Sequence, residues 1–436
     1  MVLSLLALFY TLYGYEEMSL KKILPLLIAI IFLMPVYAED TMDEVILDSL
    51  GEGVDISEDV DINIESYKKE KEEIAEPQGE VVQAAEVSEE TKEKTLAEKL
   101  RDVYHLEIEK IDRPSYLFEN ILTKEYKNNP VLDSTHIWGA YNGYWDYSIY
   151  SDSHNTSTYG FNAVNLGIDG KFKNDVADFR IMMGIIPTSH RNMTKNMFSD
   201  VYIGTDKIPH HRLMVGHMRP RVGMEGGNSA YTLPFILRSQ IARNYGTARR
   251  IGARAIGSYK LIEYELGGYS SDTYFSQFFP GGEFVGWVNF KPLGLTNGKY
   301  GKLKIGGGID AGHRDSGFCV VGAYVGYEYK KFFANFEWAN ADGYNGGFSG
   351  RQSRDHSTGF YTTIGYRITP KLQVLARYDE FDPDKHIRGN KKREYSFGIN
   401  YFIKGQALRL TLNYIFCQND GTRDSHRIML GTQILL

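Results

Sequence analysis

Beyond its first forty residues the chain has no apolar run approaching the roughly 20 residues that a membrane-crossing helix needs. Helical membrane spanning is thereby excluded. Cysteine is almost missing: Cys319 and Cys417 are the only two, far apart in the chain, which is no disulfide framework and gives no sign of redox chemistry. Aromatic residues are few and sustained hydrophobic periodicity is lacking from Glu39 to Lys99, where 21 acidic residues face 6 basic ones. Such a stretch cannot bury enough apolar surface to offset the entropy of ordering. Tyrosine and glycine, in contrast, are plentiful, at 31 and 44 residues. The mean hydropathy is mildly negative. That balance suits strands on which every second side chain faces water.

The N-terminal region reads as an export signal. Lys21 and Lys22 supply the positive start, Ile23 to Met34 the apolar core, and Val36, Tyr37 and Ala38 a small-residue cleavage site before Glu39 and Asp40. Residues 1–38 are expected to be removed, with Met18 as the true start of translation. An uncleaved anchor would need a longer apolar core than the dozen or so residues present. Residues 39–128 are expected to form an acidic periplasmic linker, or a tether to a partner. Within it Leu96, Leu100, Val103, Tyr104 and Leu106 have the spacing of a short helix over Thr91 to Glu109. Outside the signal and this acidic stretch, 41 basic residues outnumber 32 acidic ones.

Residues 129–436 alternate with period two. Ile428, Leu430, Thr432, Ile434 and Leu436 share one face, and Arg427, Met429, Gly431, Gln433 and Leu435 the other. The same pattern runs through 408–416, 395–403, 372–378 and 360–368. It continues backwards near 332–339, 317–329, 300–311, 282–290, 261–269, 248–257, 210–218, 197–204, 176–186, 159–172 and 135–148. The total is sixteen strands of an all-β, transmembrane, antiparallel up-and-down barrel. Connections alternate between short turns (369–371, 404–406, 330–331) and long polar loops (340–357, 380–392, 417–425), as tight inner turns and longer outer loops demand. An even strand count puts both ends on one side, the periplasm. Trp338, Phe360, Tyr378, Tyr395 and Phe416 fall at the outer ends of the apolar faces and Tyr329, Tyr366 and Tyr401 at the inner ends, with Ile364, Val374, Ile399 and Leu412 between. Two such girdles are a membrane signature that a soluble β-sandwich does not require.

The third outer loop is the longest, and an inward-folded third loop would narrow the lumen. From it into the next strand run Arg219, Arg221, Arg238, Arg243, Arg249, Arg250 and Arg254 against one acid, Glu225. Guanidinium groups stay charged and offer a planar fork of donors to carboxylate or phosphate oxygens, so in a constriction they favour anions. The bland alternative is that they pair with lumenal carboxylates such as Glu263, Glu265 and Glu283 and stiffen the wall. Lys302, Lys304, Arg377 and Arg409 are expected as further lumenal cations, with Arg180, Arg212, Arg367 and Arg427 interleaved with Asp169, Asp178, Asp310 and Glu337. His190, His210, His211, His217, His313 and Ser316 form no spacing that joins a nucleophile, base and orienting group, and the His210–His211 pair lacks further metal ligands. No catalytic residue, metal or cofactor is expected, and the chain is not read as an enzyme.

Two stretches carry a family resemblance. VGHMRPRVGMEGGNSAYTLPFILRSQIARNYGTARRIGARAIG, above all Phe235 to Ser239 and Arg249 to Gly252, and the closing segments ARYDEFDPD and REYSFGINYFIKGQALRLTLNYIF resemble the phosphate-selective porin O and P family. The likeness covers about Ala177 to Leu436. It implies a passive outer-membrane channel of sixteen strands, usually trimeric, for small anionic solutes such as phosphate or related anions, with Arg219, Arg221, Arg238 and Arg243 as contacts. The family's arginine ladders and lysine cluster have no residue-by-residue match here. The chain also ends on Leu436 rather than the aromatic residue common at the end read by the barrel assembly machinery. The implied partners are outer-membrane lipid of a diderm bacterium, small anions, two further copies of the chain and that machinery, with no nucleic acid. A structural or tethering barrel with little or no conductance is the competing expectation.

Overall fold

The computed structural model describes residues 116–150, 154–184, 198–271, 279–314, 316–345, 352–421 and 423–436. The signal peptide, the acidic segment up to residue 115, the helix expected over Thr91 to Glu109, and His190 lie outside these residues. The alternating sequence forms sixteen barrel strands: β1 Leu132–Tyr150, β2 Thr156–Phe172, β3 Asp178–Gly184, β4 Phe198–Thr205, β5 His211–Met218, β6 Arg250–Ser258, β7 Ile262–Ser270 and β8 Gly282–Phe290. The second half holds β9 Lys302–Arg314, β10 Ser316–Tyr329, β11 Phe332–Asn345, β12 Gln352–Thr369, β13 Leu372–Asp382, β14 Lys392–Lys404, β15 Leu408–Asn419 and β16 Ser425–Leu435. Each strand pairs antiparallel with the next, and β16 pairs back onto β1 from Leu435 opposite Ala140 to Ser425 opposite Tyr150. A closed sheet leaves no edge, so every strand hydrogen-bonds on both sides, which hydrocarbon requires. The strand count agrees with the alternation.

Alternation in burial follows alternation in sequence. Along β13 the odd-numbered lumenal residues Gln373, Leu375, Arg377, Asp379 and Phe381 are all buried and the even-numbered ones between them are not. Outward, Ile364, Phe397, Tyr401, Leu410 and Leu430 are exposed, forming the apolar face that lipid covers. The outer girdle is a continuous row of rings across β11 to β16. Phe336, Phe360, Tyr378, Tyr395, Phe416 and His426 follow one another with centroids 6.1, 5.7, 5.1, 5.9 and 5.0 Å apart. These cross-strand pairs stabilise the register as well as marking the interface.

Two boundaries differ from the expectation. The loop expected over 340–357 is shorter, because β11 runs to Asn345 and β12 begins at Gln352, with a bulge between Asp342 and Tyr344. Its Asn, Asp, Gly and Ser residues read as loop by composition, yet in a ladder that projects beyond the apolar band polar side chains are no obstacle to pairing. Order also begins before residue 129. A short helix, Glu119–Leu122, leads into a strand, Thr123–Glu125, which pairs with β1 through Thr123 opposite His136. This strand lies beside the lower part of β1, which extends past the last β16 partner at Ala140. The Leu117 amide donates to the Leu435 carbonyl at 2.9 Å, and the Tyr116 ring packs edge-on against lumenal His136 at 5.0 Å.

Ile364 stands at the middle of the lipid face, between Phe360 and Ile368. Its replacement by arginine is expected to cost about 2–4 kcal/mol of refolding free energy in lipid vesicles, measured by denaturant titration, whereas arginine at the lumenal neighbour Thr363 escapes that lipid-transfer cost.

Candidate functional site

The longest connection, residues 219–249 between β5 and β6, folds into the barrel. Entering the lumen obliges its backbone amides and carbonyls to find partners, and polar wall side chains supply them in three places. Near its start, Glu265 accepts from the Arg221 amide at 3.1 Å, while Arg254 donates to the Arg219 carbonyl at 3.0 Å and to Glu265 at 2.8 Å. Glu337 accepts from the Met224 and Glu225 amides at 2.8 and 3.2 Å and from the Tyr361 hydroxyl at 2.8 Å. Gly223, at φ 74°, makes this turn possible, since a Cβ there would lie 1.8 Å from a Glu337 oxygen.

The middle of the loop is held by amides and a guanidinium. Gln433 donates to the Tyr231 carbonyl at 3.0 Å, Arg409 to Leu233 at 3.0 Å and Asn400 to Pro234 at 2.8 Å. Asn413 accepts from the Ile236 amide at 2.9 Å, and Asn162 donates to the Ile236 carbonyl at 2.7 Å. The last part is a six-residue helix, Gln240–Tyr245, capped by Ser239, whose hydroxyl accepts from the Ala242 amide. Asp379 receives the Gln240 amide at 2.7 Å, and Tyr245 meets the Ser357 hydroxyl at 2.6 Å.

This path sorts the seven arginines. Arg243 pairs with Glu394 at 2.7 Å, Arg249 with Asp200 at 2.6 Å, Arg250 with Glu283 at 2.7 Å and Arg254 with Glu265 at 2.8 Å. Glu225, the loop's own acid, is engaged by Arg377 at 2.6 Å, both side chains almost fully buried. Arg219, Arg221 and Arg238 have no carboxylate at ion-pair distance among the described residues. Arg219 and Arg238 instead donate to the same carbonyl, that of Asn228, at 3.0 and 2.6 Å. Burial, and then the charges of Arg249 and Arg238, push the Arg219 guanidinium below its ordinary value. Burial likewise lowers Arg238 to about 10, with Glu225 acting against it, which leaves it cationic at neutral pH. Cations crowded in this way are relieved by an arriving anion.

Residues 296–435 match the phosphate-selective porin O and P family. No curated protein sequence matches the chain. Among solved structures, the barrel is similar to the outer membrane channel DcaP of Acinetobacter baumannii, with 11% identity, a TM-score of 0.53, and coverage of 72% of this chain and 99% of that one. It is also similar to an anion-selective porin from Comamonas acidovorans, with 11% identity, a TM-score of 0.51, and coverage of 69% and 99%. At that identity the likeness is one of architecture, a closed antiparallel barrel of sixteen strands.

Other wall cations of the barrel are paired in their turn. Arg180 meets Asp169 at 2.6 Å, Arg212 meets Asp178 at 2.6 Å, and Arg427 meets Asp146. Lys302 lies 3.6 Å from Glu328 and Lys304 lies 3.7 Å from Glu263, both lysines well exposed. His210 and His211 sit at the turn before β5, where they pack on Tyr259. One feature of the lumen departs from the wet wall expected. Met214, Met218, Tyr269, Val285, Trp287, Val320, Tyr324 and Phe381 form a buried cluster with Val222, Ile241 and Tyr245 of the loop. Sequence reasoning read Glu337, Asn400, Asn413 and Gln433 only as inward-facing polar positions and did not single out Asp379, so all five were missed as loop anchors. The available signal was their shared inward parity.

Burial raises the Glu225 carboxyl, but Arg377 and the Ser239 donors outweigh it and hold it below the ordinary carboxylate value. Its contribution is therefore complete at neutral pH and is lost only as pH falls through that depressed value. Glu225→Ala leaves Arg377 buried without its carboxylate and is expected to destabilise the folded barrel by roughly 3–5 kcal/mol, read by denaturant unfolding in detergent at pH 7.

Proposed function

We propose that the protein is an outer-membrane porin for passive diffusion of small solutes, with a preference for anions such as phosphate or related species. The observation that carries this reading is the division of the loop arginines. Four are neutralised by wall carboxylates, while Arg219, Arg221 and Arg238 lie in or beside the narrowed lumen without a carboxylate partner among the described residues. Positive charge in a low-dielectric constriction raises local anion concentration and opposes cations. No step of this transport calls for a cofactor, an energy source or a covalent intermediate. The printed description of the Comamonas acidovorans relative as anion-selective supports the same direction. We further propose that the channel works as a homotrimer, with the segment before β1 on the periplasmic side.

A second reading rests on the buried cluster that joins the loop to β5, β7, β8, β10, β11, β12 and β13. A lumen filled to that extent suits a structural or tethering barrel of low conductance. Reconstitution of the full chain into planar bilayers distinguishes the two by whether ion current flows at all.

In a salt gradient, the wild-type reversal potential is expected on the anion-selective side. Replacing Arg219, Arg221 and Arg238 together by glutamine is expected to shift it toward zero or beyond, while Arg249→Gln, which also leaves Asp200 without its partner, is expected to move it less. An unchanged potential in the triple variant would return these arginines to a structural role.

A further inference from the structure

Glu263, at the turn end of the lumen, is a carboxylate on which two lysines converge. The Lys291 ammonium donates to one of its oxygens at 3.0 Å, and Lys304 stands 3.7 Å from the other. Arg219, on the loop, is turned away toward Asn228, to whose carbonyl it donates at 3.0 Å.

The setting of Glu263 differs from that of the sealed wall pairs. Arg250 and Glu283 have side chains only 1% and 0% exposed, so that pair is closed to solutes. The side chains of Glu263 and Lys304 are 24% and 42% exposed, open to an ion in the lumen. An anion that reaches Lys304 thus meets a cation whose present partner is held loosely. Two lysines without Glu263 would bind a passing anion tightly. Conduction requires binding strong enough for entry and weak enough for departure.

We propose that Glu263 is a built-in competitor for the permeating anion. Its carboxylate occupies Lys291 and Lys304 between passages, and a solute oxyanion or halide takes its place on Lys304 and is then displaced by it. The residue thereby sets how long this mouth retains an anion. This inference rests on the porin reading above and adds a residue that tunes selectivity to it.

The test uses the full chain in planar bilayers, with chloride as the probe anion, and compares wild type with Glu263→Gln and Lys304→Gln. Glu263→Gln is isosteric, and heat-modifiable migration on gels verifies that each barrel is folded. Loss of the competitor is expected to lower the half-saturating chloride concentration of the conductance roughly two- to fivefold, the span of a half-exposed charge pair, and to raise the anion-to-cation permeability ratio. Lys304→Gln is expected to move both quantities the other way. A conducting Glu263→Gln channel with unchanged saturation and selectivity, or with a shift toward cations, overturns the role of Glu263 while leaving the porin reading intact. A wild-type barrel that carries no current overturns both.

Discussion

The backbone of a loop that enters a barrel must be hydrogen-bonded by the wall, and the interior of this protein is organised around that requirement. Asn162, Asn400, Asn413, Gln433 and Arg409 each face a carbonyl or amide between Tyr231 and Ile236. Glu337 and Asp379 receive amides at the two bends that flank this stretch. Such groups left without partners in a buried position cost about 1–3 kcal/mol each. The wall residues therefore fix one path for the loop rather than lining a passive tube. The position of every arginine on the loop follows from that path.

Charge pairing gives the path its chemical character. A basic segment placed beside a wall of carboxylates could have been neutralised throughout. Instead the carboxylates are spent on Arg243, Arg249, Arg250 and Arg254, at positions where the loop leaves the lumen and rejoins β6. The entry arm keeps Arg219 and Arg221 and the middle keeps Arg238, and Arg219 and Arg238 have backbone carbonyls as acceptors. Carbonyl dipoles orient a guanidinium without cancelling its charge. Carboxylate-paired and carbonyl-bound arginines thus occupy different parts of one segment.

Much of the fold was legible in the sequence. The strands from β11 to β16 alternate cleanly, and the girdle residues Trp338, Phe360, Tyr378, Tyr395 and Phe416 lie toward the outer ends of β11 to β15. Closure followed from counting, and the weight of the third loop from its length and charge. The site was less legible, because pairing depends on residues brought together from distant strands. Arg243 and Glu394 are 151 positions apart, as are few sequence patterns that the eye can join. Expectation of a wet lumen failed where β8 and β10 are apolar on both faces, as in Phe284, Val285, Trp287 and Val288. That doubled apolarity was visible in the sequence, and its meaning becomes plain only with the loop packed against it. The ordered segment before β1 was hidden for another reason: three residues of strand carry too little periodicity to stand out from an acidic linker.

The seam between the first and last strands has a consequence for how the molecule comes into being. β1 and β16 are paired along eleven positions, and the amide and carbonyl of Gly139 exchange hydrogen bonds with Leu436. Leu117, upstream of β1, then bonds to Leu435. These contacts span almost the whole described chain, and contacts of large sequence separation are the slowest to form because loop closure precedes any gain from them. Hairpins such as β14–β15 can form as soon as their residues are available, but the seam must wait for the final strand. Until then both β1 and β16 present open edges, so the unfinished barrel is the state most exposed to mispairing, and its rate of closure sets how long that exposure lasts.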